Sequence, residues 1–136
     1  GSVLPSMFDE SRWCEGFSVT AADSTANQLM WVAQRLEACA GRRAFVFVNV
    51  SAIHQPNRHY LPGKQVDDVE SHGAALRYVD ATLPLLFAAL RRRGDAFVVI
   101  CSDHGTAYGE DGFRGHRLGH PSVWDVPYAE FFLRAE

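Results

Sequence analysis

Apolar residues recur at two different periods along this chain, and the periods divide it into elements. Leu29, Val32, Ala33 and Leu36 form one face at helical spacing, predicting a helix that opens near Asp23-Ser24 and closes at Gly41. Residues 44–50 (A-F-V-F-V-N-V) are apolar and rich in β-branched side chains, the composition of a strand buried in a parallel sheet. A loop set off by Pro56, Pro62 and Gly63 follows. Leu76, Val79, Leu83, Leu86, Phe87 and Leu90 predict a long second helix from about Asp68 to Arg93, with Pro84 placed to kink it. Residues 96–101 read as a second strand, and residues 126–133 as a last one. Residues 1–22 are an irregular lead-in, with Phe8, Trp13 and Phe17 spaced as anchors. The order strand, helix, strand, loop, strand predicts a mostly parallel sheet with helices packed against it.

Composition narrows the functional classes. The net charge of -3 argues against a nucleic-acid surface, which calls for clustered positive charge. No apolar run reaches the ~20 residues that cross a bilayer, so no membrane segment is expected. Cys14, Cys39 and Cys101 are odd in number and scattered, which suits a reducing, cytoplasmic setting, with Cys101 read as a small core residue.

The candidate chemistry sits between Ile100 and Pro127. The second strand runs directly into Asp103-His104-Gly105, placing adjacent oxygen and nitrogen ligands at a strand end. A carboxylate beside an imidazole suits a divalent metal, zinc before calcium, manganese or magnesium. Taken alone, the pair reads better as a helix cap or turn carboxylate beside a surface histidine; the company of His116, Glu110 and His54 favours the metal. His116 and His120 follow in a glycine-rich loop, and His54 follows the first apolar run.

S-D-H-G at 102–105, G-E-D-G at 109–112 and Gly115-His116 together resemble the metal-site loop of the alkaline phosphatase superfamily, nearest its sulfatase-like and phosphoethanolamine-transferase-like branch. Tyr78-Val79-Asp80, His54-Gln55-Pro56 and Val126-Pro127 are similar to further elements of that branch. The resemblance covers roughly residues 45–133. It implies a three-layer α/β/α fold, of which residues 23–136 would be the C-terminal half, in a single partial domain. It implies that Asp103 and His104 bind the metal and that His116 and His54 bind or protonate a phosphate or sulfate ester.

Arg114, Arg117 and His120 are candidate substrate contacts; each is equally a surface or turn residue. His72, four residues after Asp68, reads as structural, and Asp80 as a buried carboxylate. No residue here matches the family's nucleophile, and the chain opens Gly1-Ser2 without Met. The expected parent is therefore a metal-dependent hydrolase or transferase of phosphate or sulfate esters. This chain alone would be inactive until completed by an N-terminal half or a dimer partner. The alternative is a non-catalytic half-domain or subunit completed by another chain.

Overall fold

The computed structural model describes residues 4–136. Helix α1 spans Ser24–Ala38 and helix α2 spans Val69–Arg93, continuous through Pro84. α1 stops short of Gly41, whose positive φ of 82° turns the chain. Asp23 makes no side-chain cap. Instead the Ala26 N–H donates to the Tyr78 hydroxyl of α2 at 3.1 Å. α2 opens with a reciprocal cap: the Ser71 N–H donates to the Asp68 carboxylate, and the Asp68 N–H to the Ser71 hydroxyl, both at 2.9 Å.

The two helices pack against each other. Val32 and Leu36 of α1 meet Ala89 of α2, with Trp31, Val48, Leu86 and Leu90 around them. Burying a side chain such as Leu36 stabilises by about 1.5–3 kcal/mol. At the open end of the pair, the Arg93 guanidinium donates to the carbonyls of Leu36 (2.7 Å), Cys39 (3.0 Å) and Arg42. It thereby gives the Leu36 carbonyl, in the last turn of α1, a partner and ties down the chain that leaves the helix.

The parallel three-layer α/β/α arrangement does not form. Strand β1 (Ala96–Cys101) pairs antiparallel with β4 (Tyr128–Leu133), in register from Ala96↔Leu133 to Cys101↔Tyr128. A second antiparallel pair joins β2 (Ala107–Tyr108) to β3 (Arg114–Gly115), and helix α3 spans Pro121–Trp124. Among the described residues these two-stranded pairs are the only sheets. The cause lies in residues 44–50, which take no strand partner. Without that neighbour, β1 bonds only to a strand returning from the opposite direction.

Burial follows the same correction. Phe45 is 80 % exposed, and Phe47, Phe97, Val99 and Ile100 are exposed too, so the apolar runs are not interior strands. Cys101 is exposed rather than a core residue. Cross-strand contact between Phe97 and Phe132 (5.2 Å between ring centroids) joins the two strands on their exposed face, and the edge-on approach of Phe131 to Phe87 (5.9 Å) holds the β1–β4 ribbon beside α2. On α2 the buried positions are Ser71, Ala74, Ala75, Val79 and Ala89, while Leu76 and Asp80 face solvent. The predicted buried carboxylate at Asp80 is thus overturned: small residues, not Leu76, mark the packed face. Of the three lead-in aromatics, Phe17 is buried and Trp13 exposed. α2 is long and apolar enough, by length and composition alone, to cross a membrane, a property that the core helix of a soluble protein can share.

Candidate functional site

β1 delivers the chain into a tight turn. The Ser102 hydroxyl donates to the His104 carbonyl at 2.6 Å, and the Gly105 N–H donates to the Val123 carbonyl at 2.9 Å. Gly105 is required there, because a Cβ would lie 2.1 Å from the Ser122 carbonyl oxygen. The turn leaves the Asp103 side chain 92 % exposed, with its Oδ2 3.9 Å from His104 Nε2.

The β2–β3 hairpin carries the next histidine. Ala107 and Tyr108 pair with Gly115 and Arg114, so His116 leaves the end of β3 directly. Its ring lies nearly parallel to that of His104, with centroids 4.4 Å apart and planes inclined by 15°. The His54 ring meets His116 edge-on at 6.2 Å. Three imidazoles from three separate segments therefore gather in one place, and Asp103 is held beside them through His104.

Two of those rings are oriented by backbone carbonyls. His54 Nδ1 lies 2.5 Å from the Gln55 oxygen, and His104 Nδ1 2.8 Å from the Gly105 oxygen. A carbonyl only accepts, so each Nδ1 carries a proton, and in the neutral imidazole the lone pair is on Nε2. That is the arrangement in which histidine binds a metal or takes a proton.

The rest of the predicted set is placed differently. His120 caps α3: its Nδ1 accepts from the Ser122 N–H at 3.2 Å, so its Nε2–H faces Asp111 Oδ2, also at 3.2 Å. Both ring nitrogens are thus engaged. Glu110 accepts from the Tyr108 and Gly109 N–H groups at 2.5 and 3.1 Å. Backbone N–H groups, its own first, hold its carboxyl below the usual range. Arg114 and Arg117 are exposed, and their guanidiniums have no hydrogen bond or ion pair among the described residues. Among those residues no group of three or more His, Cys, Asp or Glu side chains is arranged to enclose a metal ion. Stacked rings explain part of this, since lone pairs in nearly parallel planes do not converge. Asp103 Oδ2 and His104 Nε2 lie 3.9 Å apart.

Comparison with protein-family models, with curated proteins and with solved structures returned no match.

Sequence reasoning missed the polar network behind the histidines. Asn57 is fully buried. Its Oδ1 accepts from Ser71 at 2.7 Å, its Nδ2 donates to the Tyr108 hydroxyl at 3.1 Å, and its N–H donates to Asp67 at 2.8 Å. The Tyr108 hydroxyl lies 3.0 Å from His72 Nδ1. Burial lowers the His72 pKa and raises that of Tyr108, so both stay neutral near neutral pH. The one visible signal was Asp68-x-x-x-His72, a spacing equally open to a plain helix face. A shallow depression of about 360 Å³ lies beside this network, lined by Asp68, Val69, Glu70, Tyr108, Gly109 and Glu110 and by none of the three clustered histidines.

Proposed function

We propose that the chain carries the ester-handling face of a metal-dependent hydrolase or transferase acting on phosphate or sulfate esters. The observation that supports this is the gathering of His54, His104 and His116, two of them tied through Nδ1 so that Nε2 is free. Asp103 and His104 hold one side of a divalent ion, with zinc favoured by the mixed oxygen and nitrogen donors. Such an ion, when bound, stabilises negative charge on the ester oxygens. His116 and His54 bind the non-bridging oxygens or move a proton to the leaving oxygen. The unpaired guanidiniums of Arg114 and Arg117 are available to the anion, while His120 serves its turn. The nucleophile and the remaining ligands come from another segment or a partner copy, in a cytoplasmic setting that the free thiols of Cys14, Cys39 and Cys101 suit.

A second reading is a non-catalytic subunit that another chain completes. The exposed apolar side chains of Phe45, Phe47, Phe97 and Phe132 favour it, since surface of that kind usually marks contact with a partner. Zinc calorimetry separates the two readings. The ester-handling reading expects weak zinc binding that Asp103→Ala with His104→Ala abolishes. Equal affinity in the double variant, or none in the parent chain, would sink it.

A further inference from the structure

We propose that Tyr108, Asn57 and His72 are positioning residues that set the spacing of the clustered histidines by clamping two loops to the start of α2. The inference adds a support for the site read above as ester-handling.

Donor and acceptor rules fix the direction of the network. The Ser71 hydroxyl donates to Asn57 Oδ1, and Asn57 Nδ2 can only donate, so the Tyr108 oxygen accepts from it. The Tyr108 proton is then free for His72 Nδ1, which must be unprotonated. The chain of bonds runs from Ser71 on α2, through the loop after His54, to the β2–β3 hairpin, and back to His72 on α2.

Each end is short in sequence. Asn57 follows His54 closely, and its N–H is held by the Asp67 carboxylate. Tyr108 pairs with Arg114, and His116 leaves the same strand. Ala107, beside Tyr108, is buried, so the hairpin base is packed as well as bonded. Displacing the Tyr108 hydroxyl therefore moves the strand that delivers His116, relative both to His54 and to the turn carrying His104. No residue of the clamp needs to touch substrate.

The test compares Tyr108→Phe, His72→Leu and His72→Gln in the whole chain without metal. The readout is the nuclear Overhauser contact between the His104 and His116 ring protons, with circular dichroism reporting helix content. Tyr108→Phe and His72→Leu are expected to stay helical and lose the ring contact. His72→Gln restores an acceptor for the Tyr108 proton, so it is expected to keep the contact. A full-strength ring contact in folded Tyr108→Phe would overturn the proposal. So would His72→Gln behaving like His72→Leu, and this pair decides the matter if Tyr108→Phe does not fold. With zinc added, Tyr108→Phe is expected to bind about 10-fold more weakly, as for other loss of ligand support. If the parent chain binds no zinc, the ester-handling reading falls, and the metal-free ring contact still judges the clamp.

Discussion

Replacing Gly105 by alanine perturbs the turn at its tightest point. The added Cβ would stand 2.1 Å from the Ser122 carbonyl oxygen, 3.1 Å from its carbon and 3.5 Å from the Val123 Cα, all backbone atoms. No rotamer change relieves a contact with backbone, so the two segments must part by roughly 1 Å or more to reach ordinary contact. That separation breaks the 2.9 Å bond from the Gly105 N–H to the Val123 carbonyl. A lost bond of this kind costs about 1–3 kcal/mol where the freed groups stay buried. Overpacking adds about 1–3 kcal/mol. The expected loss is therefore about 2–6 kcal/mol, read from the urea midpoint by circular dichroism. The Gly105 carbonyl also orients His104, so the His104–His116 ring contact should weaken in the same variant. A midpoint within about 0.5 kcal/mol of the parent chain, the range of an ordinary surface substitution, would refute the reasoning.

Other expectations follow from single contacts. Arg93→Ala strips a donor from the carbonyls of Leu36, Cys39 and Arg42 and should cost about 1–3 kcal/mol in urea denaturation, whereas a purely surface role predicts almost no change. Asn57→Leu keeps roughly the volume but takes one partner each from the Ser71 and Tyr108 hydroxyls, which retain Asp68 and His72, and should cost about 1–3 kcal/mol by the same measurement; a neutral result would show the network to be dispensable. The pH dependence has a definite sign. Burial holds the folded His72 pKa below its ordinary 6.5, so below pH 6.5 the unfolded chain binds the extra proton. Stability should be full above that pH and fall as pH drops from 6.5 toward the lowered folded value, with His72→Gln flattening the slope; a flat parent profile across that window would contradict it. The lowered carboxyls of Asp68 and Asp95 act only in a more acidic window, below their ordinary 3.8.

The helices were legible because their signal is local. The face built on Leu29, Val32 and Leu36 and the start of α2 at Asp68 need nothing from distant sequence, although the reciprocal cap of Asp68 and Ser71 was not read from the sequence. β1 and most of β4 were legible as apolar runs, although β4 begins at Tyr128 and leaves Val126-Pro127 outside it. Sheet order was not legible, because an apolar run does not say which strand will bond to it. Residues 44–50 have the composition of an interior strand and find no partner, so Phe45 and Phe47 stack with Phe8 at 5.9 and 6.3 Å instead. The same gap exposes Cys101. At the site, strand ends and turns mark where His54 and His104 stand. The stacking of His104 on His116 and the bonds from Asn57 to Tyr108 depend on loop closure, which leaves no period in the sequence.

The most direct test of the account is to titrate inorganic phosphate into the zinc-loaded chain while following the imidazole nitrogens of His54, His104 and His116 by NMR. The account predicts saturable shifts at the Nε2 atoms of His54 and His116, lost in the variant carrying Asp103→Ala with His104→Ala. Phosphate that leaves all three histidines unmoved, or moves them equally in that variant, would contradict it.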